Sequence, residues 1–197
     1  EGRNQRIANE QFPTLFVKTN NTLSWPGRVI QIPAEFDRVD WEGELAVVIG
    51  KPCRQLARDA WQDAVLGYTI ANDLSERRLQ RVTSQWFPGK SVNGFCPLGP
   101  WIAVDHIDPE NLRLTTTVNG RVMQDASTAQ MIFSIGELLY HITSFCDLEP
   151  GDVLLTGTPS GVGVHRTPPV FLRNGDVVTV AIEGIGQLKN TIAVVSA

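Results

Sequence analysis

The chain has 197 residues, of which 42% are hydrophobic and 19% are charged, proportions typical of one compact globular domain. Its formal net charge of -4 argues against binding to nucleic acid or to an anionic membrane surface. No apolar run approaches the roughly 20 residues of a membrane-spanning helix. The three cysteines are widely spaced and form no CxxC pair. We therefore expect a soluble, cytoplasmic protein with no membrane or nucleic-acid partner.

The N-terminal half contains three strand candidates and one helix candidate. Residues 15–18 and 29–32 are predicted to be short strands, and the continuous apolar run 45–49 is typical of a buried strand. Apolar residues recur at helical spacing over 57–65, which predicts a short amphipathic helix that ends before Gly67. Residues 81–100 contain several Gly and Pro without periodicity, so we predict a long irregular loop there.

The C-terminal half is predicted to begin with a β-hairpin. Apolar residues alternate over 112–118, and Asn119-Gly120 supplies the tight turn. A helical period over 131–145 predicts a helix of roughly four turns. Residues 153–155 and 177–182 are strand candidates, with a glycine-rich loop at 157–163 after the first of them. Strands predominate and do not alternate with helices, so we predict an α+β fold, mainly β, with an antiparallel or mixed β roll.

Two glutamates precede the buried run at residues 45–49. Glu42 and Glu44 lie two residues apart, which places both carboxylates on the same face of an extended chain and leaves the Gly43 face uncrowded. Adjacent carboxylates repel each other unless a proton or cation lies between them, so the spacing suits a hard metal ion. The spacing alone fits the solvated start of a strand better.

A third acid, Asp73, follows the apolar stretch that begins at Gly67. Asp73 and Glu76 have the spacing of a capping box, which would explain both without any chemistry. The helix that they would start places Asp73, Arg77 and Gln80 on one face. An acid, a guanidinium and an amide would then point the same way.

Other catalytic and ligand-binding motifs are incomplete. Gly89-Lys90-Ser91 copies the end of a phosphate-binding loop, but Ser84 stands where that motif needs its first glycine. The chain has no GxSxG elbow, and its three histidines are scattered. Oxygen ligands without His or Cys favour Mg²⁺, with Mn²⁺ or Ca²⁺ possible, and argue against zinc.

An ordered set of motifs along most of the chain is more specific than any of these patterns. The set comprises Trp41-Glu42-Gly43-Glu44 with the apolar run after it, Gly67-Tyr68 through Arg77 and Gln80, Gly89-Lys90-Ser91, Phe95, Pro97-Leu98-Gly99-Pro100, Val118-Asn119-Gly120, Gln124, Thr128, Met131-Ile132-Phe133, Pro150-Gly151-Asp152 and Thr156-Gly157-Thr158-Pro159-Ser160-Gly161-Val162-Gly163. With these residues in this order, the sequence resembles the fumarylacetoacetate hydrolase family.

The resemblance implies the mixed β-sandwich roll of that family's C-terminal domain type, with residues 15–197 as a single catalytic domain. It implies one Mg²⁺ or Mn²⁺ held by Glu42, Glu44 and Asp73. It also implies a homodimer or higher homo-oligomer and small-molecule 2-oxo acid substrates whose carboxylate and oxo group both contact the metal.

The same resemblance assigns roles to four more residues. Lys90 is the implied catalytic residue, placed near the C2 oxygen, where it could hydrogen-bond the oxo group as an ammonium or accept a proton if its pKa were lowered. Arg77 and Gln80 would orient the far end of the substrate, and Thr158 would hydrogen-bond its carboxylate. Without the resemblance, a surface loop lysine is the simpler interpretation of Lys90.

The N-terminal segment, residues 1–14, departs from the family pattern. Family hydrolases commonly carry a His and Glu pair on a lid helix that activates water, and this segment contains no His. We expect either that the lid precedes Glu1, so that residues 1–14 are its remnant, or that the pair is lacking. Asn93 also stands where relatives usually have an acid.

The leading expectation is a Mg²⁺-dependent hydrolase of acylpyruvate or fumarylpyruvate type in aromatic or amino-acid catabolism. The alternatives within the family are a 2-hydroxyhepta-2,4-diene-1,7-dioate isomerase and an oxaloacetate-type decarboxylase. A non-enzyme alternative is an oxo-acid-binding or scaffold protein with little turnover.

Overall fold

The computed structural model describes residues 12–196. Its strands are β1 (Leu23–Ser24), β2 (Val29–Pro33), β3 (Val39–Asp40), β4 (Gly43–Ile49), β5 (Val65–Asn72), β6 (Ser75–Glu76), β7 (Cys96–Ala103), β8 (Arg113–Val118), β9 (Arg121–Ser127), β10 (Val153–Leu155), β11 (Val177–Ile182) and β12 (Gly186–Val195). The α-helices are α1 (Phe87–Lys90) and α2 (Ile135–Thr143), and 3-10 helices cover Asn20–Thr22, Gln62–Ala64, Leu79–Arg81, Thr128–Gln130 and Gly163–His165. The proposed lid remnant falls mostly on residues 1–11, which lie outside the described residues.

Two five-stranded sheets form the body of the protein. The first has the order β1-β7-β5-β4-β10 and the second the order β2-β12-β11-β8-β9, while β3 and β6 form a separate pair. β1 runs parallel to β7 and β2 parallel to β12, whereas the other pairings in the two sheets are antiparallel. The predicted α+β fold, mainly β and with mixed sheets, is confirmed.

The main core lies where the two sheets face each other. Leu45 and Val47 of β4 pack in one hydrophobic cluster with Leu114 of β8 and Val180 of β11. Every residue of β4 is buried, because this strand lies inside its sheet and is covered on both faces. The predicted buried strand at 45–49 is therefore confirmed, and it gives the two glutamates at its start a rigid support.

Several other predicted elements are confirmed. β8 and β9 form the hairpin, with Asn119 and Gly120 both at positive φ in its turn. The predicted helix at 131–145 is shorter than expected: Ser134 caps α2, and Glu137 completes a capping box. The chain before this cap forms a 3-10 turn and loop instead, so the apolar residue Met131 adds no helical turn. The strands predicted at 29–32, 153–155 and 177–182 are present.

Two N-terminal predictions are wrong. Residues 15–18 form no strand, because their backbone joins neither sheet, and Val17 is 69% exposed. Residues 57–65 form no α-helix: the chain turns, passes through one 3-10 turn, and enters β5. In the pattern that predicted this helix, Ala57 and Ala60 are exposed, so they contribute little hydrophobic driving force. Pairing of Val65 with Ile49 extends the sheet instead.

Several elements were not predicted, among them α1, β7 and β12. The stretch 81–100 is not one irregular loop, because it contains α1 and the start of β7, whose two prolines and one glycine obscure a strand pattern. β12 alternates buried and exposed residues, but its buried Asn190 breaks the apolar pattern. Asn190 donates hydrogen bonds to the carbonyl oxygens of Trp25 and Arg28.

Within residues 12–196, no helix is both long and apolar enough to cross a membrane.

Candidate metal centre and active site

Glu42 and Glu44 lie on either side of a close contact between the two sheets. A Cβ on Gly43 would lie 2.2 Å from Thr116 Oγ1 and 2.9 Å from Val180 Cγ1, both in the second sheet. The face opposite the glutamates is thus filled rather than uncrowded, and only a glycine lets the second sheet approach so closely. The packing that builds the core therefore also fixes the segment that carries both carboxylates.

The pairing of β4 with β5 brings Asp73 to these glutamates. Gly43 is the partner of Asn72, and the Asp73 backbone N–H donates to the Glu42 carbonyl at 2.8 Å. One carboxylate oxygen from each of Glu42, Glu44 and Asp73 lies within 4.8 Å of the others, and all three residues are buried. The predicted capping helix at Asp73 is wrong, because the chain continues into β6, which pairs with β3.

Lys90, the last residue of α1, lies among the same carboxylates. Its Nζ atom is 2.6 Å from both Glu42 Oε2 and Asp73 Oδ2, and its side chain is only 2% exposed. Burial by itself would lower the pKa of Lys90, but attraction by Glu42 and Asp73 outweighs it and raises the pKa. Of the two protonation states considered from sequence, this arrangement favours the ammonium.

A second lysine reaches Asp73 from the N-terminal segment. Lys18 Nζ lies 2.6 Å from Asp73 Oδ1 and also donates to the Lys90 carbonyl oxygen. Each Asp73 oxygen therefore has its own ammonium partner. The Lys18 side chain thus holds the irregular chain around residue 18 against the site, although this segment is not part of a sheet.

Glu44 differs from the other two carboxylates. No Lys or Arg of the described chain forms an ion pair with it, and its recorded hydrogen bond comes from the Gly157 N–H at 2.7 Å. Burial and the nearby Asp73 and Glu42 carboxylates raise the pKa of Glu44 well above its usual range. The site thus has a carboxylate that a bound cation would neutralise.

The cluster fits a divalent cation that prefers oxygen ligands. Metal–oxygen distances of ~2.1 Å for Mg²⁺ and ~2.4 Å for Ca²⁺ allow two ligands on one ion to lie up to ~4.2 Å and ~4.8 Å apart. One carboxylate oxygen from each of Glu42, Glu44 and Asp73 lies within 4.8 Å of the others, so small side-chain adjustments would let all three bind one such ion. The cluster contains no imidazole or thiolate, as expected for these ions rather than zinc.

Arg77 and Gln80 are joined to the cluster by hydrogen bonds. Arg77 Nη1 lies 2.6 Å from Glu42 Oε1 and donates to Gln80 Oε1 at 3.0 Å. The other edge of the Arg77 guanidinium contacts Asp40. Most N–H donors of Arg77 are therefore already used within the protein.

Thr158 lies next to the ligand segment in the glycine-rich loop. Its hydroxyl donates to the Gly43 carbonyl at 3.0 Å and accepts from Gln124 Nε2 at 2.8 Å. The buried Gln124 also accepts from the Gly43 N–H at 3.0 Å and donates to the Pro159 carbonyl at 2.9 Å. To donate to a substrate carboxylate, the Thr158 hydroxyl would have to leave Gly43.

The structure thus brings all the residues singled out from sequence into one network, together with three whose place in it was missed. Asp40 continues the two-residue alternation of Glu42 and Glu44, and that signal could have identified it. Lys18 gave no local signal, because its partners are 55 and 72 residues away along the chain. Gln124 belongs to the motif set, but nothing in the sequence assigned it a position.

The nearby Cys96 is not a candidate nucleophile. Burial raises its pKa to about 12, so it remains a thiol at neutral pH.

The chain is similar to known proteins over most of its length. The family described as Fumarylacetoacetate (FAA) hydrolase C-terminal matches residues 2–193. The chain is 42% identical over 192 residues to a protein of Xenopus laevis named Oxaloacetate tautomerase fahd2, mitochondrial, covering 95% of this chain and 60% of that protein. It therefore spans less than two thirds of that relative's length.

Two solved structures have the same fold. One is titled 5-carboxymethyl-2-hydroxymuconate delta-isomerase from Mycobacterium smegmatis, with a TM-score of 0.88 and 43% identity, covering 94% of this chain and 71% of that one. The other is titled Fumarylacetoacetate hydrolase from psychrophilic Exiguobacterium antarcticum, with a TM-score of 0.92 and 40% identity, covering 95% and 68%. The similar proteins are thus named for more than one reaction.

Proposed function

The chain belongs to the fumarylacetoacetate (FAA) hydrolase C-terminal family, and from that premise we propose that it is a metal-dependent enzyme that moves a proton on a 2-oxo dicarboxylic acid. The reaction that we favour is the keto–enol interconversion of oxaloacetate. Relatives named as a tautomerase and an isomerase support a proton shift. The observation that carries the proposal is the buried Lys90 ammonium among the carboxylates of Glu42, Glu44 and Asp73.

The charge balance supports both the cation and an anionic substrate. Four buried carboxylates, Asp40, Glu42, Glu44 and Asp73, face three basic groups, Lys18, Arg77 and Lys90. With all four carboxylates ionised and no further cation, this excess of negative charge would repel a dicarboxylate. A divalent cation reverses the sign of the site, so metal and anionic substrate are expected together.

We assign Glu42, Glu44 and Asp73 as the ligands of one Mg²⁺ or Mn²⁺. When bound, the ion would act as a Lewis acid that stabilises negative charge on the C2 oxygen. Lys90 is the catalytic residue, and its ammonium hydrogen-bonds that oxygen. Conversion of enol to keto form transfers the proton of the C2 hydroxyl to water and adds a proton from water at C3, and the Lys90 ammonium stabilises the negative charge on the C2 oxygen between these two transfers.

The far carboxylate of the substrate is assigned to Gln80 and Arg77. Gln80 accepts from Arg77 through Oε1, which points its amide N–H₂ group away from that bond. Thr158 is assigned to the carboxylate next to the oxo group, with its hydroxyl turning from Gly43 to the substrate.

Hydrolysis of an acylpyruvate is the second candidate, because one similar structure is titled as a fumarylacetoacetate hydrolase. That reaction adds water and releases pyruvate with a second carboxylic acid, as in aromatic or amino-acid breakdown. The relatives give no support for fumarylpyruvate as the substrate. The other alternative, decarboxylation of oxaloacetate, would yield pyruvate and CO₂.

One set of assays separates these reactions. Protein with Mg²⁺ or Mn²⁺ is mixed with oxaloacetate, the enol is followed by ultraviolet absorbance, and pyruvate is measured with lactate dehydrogenase. We expect accelerated loss of enol without pyruvate, and a rate at least ~100-fold lower for Glu44→Gln. Pyruvate from oxaloacetate would indicate decarboxylation, pyruvate from an acylpyruvate would indicate hydrolysis, and no turnover of any 2-oxo acid would favour the binding or scaffold alternative.

The ligand assignment has its own prediction. Asp73→Asn should weaken Mn²⁺ binding by more than ~100-fold, because it removes a charged ligand rather than an outer contact, whose loss costs up to about that factor. Calorimetric titration of chelator-treated protein measures the change. Asp125→Asn is the control, since Asp125 pairs with Arg113 on the surface. Equal Mn²⁺ affinity in Asp73→Asn and wild type would refute the assignment.

Two further expectations stay predictions. A homodimer or higher oligomer is consistent with the exposed apolar side chains Leu66, Trp101, Ile102 and Val104 on neighbouring strands β5 and β7 and at the end of β7. A cytoplasmic location also stays a prediction, and one similar protein is named as mitochondrial.

A further inference from the structure

Asp40 is a buried carboxylate outside the proposed ligand set. It is 0% exposed, yet none of its contacts is with a proposed metal ligand or Lys90. Its Oδ1 atom accepts from the backbone N–H groups of Trp41 at 2.9 Å and Gly163 at 2.7 Å. Its Oδ2 atom accepts from the Val164 N–H at 2.9 Å and from Arg77 Nε at 2.9 Å. Both oxygens are therefore fully used within the protein.

The first consequence concerns Glu42. Arg77 donates to Asp40 through Nε and Nη2, while its Nη1 contacts Glu42 Oε1 at 2.6 Å. Because the guanidinium is planar and rigid, holding one edge fixes the direction of the other. Asp40 thus determines where Arg77 holds Glu42, whose second oxygen contacts Lys90.

The second consequence concerns the glycine-rich loop, residues 157–163. Its first residue donates to Glu44 through the Gly157 N–H, and its last donates to Asp40 through the Gly163 N–H. A Cβ on Gly163 would lie 2.8 Å from Asp40 Oδ1 and 1.8 Å from the Val170 carbonyl oxygen, so glycine is required for this approach. Asp40 and Glu44 together hold both ends of the loop that carries Thr158.

We propose that Asp40 is a positioning residue that fixes Glu42 through Arg77 and holds the C-terminal end of the 157–163 loop against the metal centre. It acts on the cation only through other residues and does not contact the substrate. The inference rests on the proposed function in taking Glu42 as a ligand. It also gives Arg77 a second task besides the substrate contact proposed above, because most of its N–H donors serve Asp40, Glu42 and Gln80.

The test is Asp40→Asn, which keeps the size of the side chain and removes its charge and one acceptor oxygen. Asp37→Asn is the matched control, because Asp37 pairs with Arg78 and both side chains are 57% exposed. We expect Mn²⁺ affinity, measured by calorimetric titration of chelator-treated protein, to fall ~10- to 100-fold in Asp40→Asn and to stay at the wild-type value in Asp37→Asn.

A second readout needs no metal and no activity. Hydrogen–deuterium exchange of the metal-free protein should be faster in the peptide that contains residues 157–165 in Asp40→Asn than in Asp37→Asn. The reason is that the Gly163 and Val164 N–H groups donate to the Asp40 carboxylate, and an amide at residue 40 is a weaker acceptor. Unchanged exchange there, or unchanged Mn²⁺ affinity in a folded Asp40→Asn protein, overturns the proposal.

The outcomes separate this inference from the proposed function. If the wild type binds no Mn²⁺, the metal assignment fails and the exchange result alone decides on Asp40. If Asp40→Asn does not fold, Arg77→Lys replaces it in the titration, since Lys keeps the charge but cannot hold Asp40 and Glu42 by opposite edges. Wild-type Mn²⁺ affinity in Arg77→Lys would then overturn the proposal.

Discussion

Replacing Lys90 with methionine is expected to lower kcat at least ~100-fold, because the variant has no ammonium to stabilise charge on the C2 oxygen. The same change leaves Glu42 and Asp73 buried without their shared partner. Removal of one partner from a buried ion pair costs about 3 kcal/mol or more. The free energy of unfolding of chelator-treated protein should fall by about that amount.

A divalent cation should restore part of the lost stability in Lys90→Met, because it neutralises the same carboxylates and binds only the folded chain. Urea unfolding with chelator and with Mn²⁺ measures this difference, and the enol absorbance assay gives kcat. Lys51→Met is the control, because Lys51 is exposed. A Lys90→Met protein with wild-type kcat would rule out the catalytic role, even if its stability fell as expected.

Gly43→Ala should destabilise the protein by about 3 kcal/mol, the upper part of the usual range for overpacking. The added methyl would overlap Thr116 Oγ1, at 2.2 Å, and Val180 Cγ1, at 2.9 Å, in the opposite sheet. This overlap can be relieved only if the two sheets separate or β4 moves, and either shift displaces Glu42 and Glu44. Mn²⁺ affinity should therefore fall together with stability.

The double variant Gly43→Ala/Thr116→Ala provides the control for this prediction. It removes the nearest overlapping atom, Thr116 Oγ1, which is buried without a hydrogen-bond partner within the described part of the chain. We expect the double variant to recover part of the stability and Mn²⁺ affinity, measured by urea unfolding and calorimetric titration. A stable Gly43→Ala protein with wild-type affinity would mean that the close sheet contact does not position the ligands.

Local patterns in the sequence identified the elements whose partners lie nearby or whose burial is complete. The hairpin at Asn119-Gly120 follows from turn chemistry, and β4 follows from a continuous apolar run. Longer-range pairing overrode local preference elsewhere. Val65 joins β5 because Ile49 lies opposite, although its local period is helical, and β7 forms despite Pro97 because β5 and β1 lie on either side of it.

The residues of the site also divide into those that local sequence patterns identify and those that only long-range packing brings together. The two-residue spacing of Glu42 and Glu44 is a local property of an extended chain, so the sequence by itself determined that these carboxylates share a face. The ordered motifs determined the family and, with it, the candidate roles of Asp73 and Lys90. Only the tertiary structure decided what compensates the charge of the carboxylates, because Lys18 is 55 residues from Asp73 along the chain and Lys90 is 48 residues from Glu42. Buried carboxylates persist only with such partners, and those partners depend on how the sheets and loops pack.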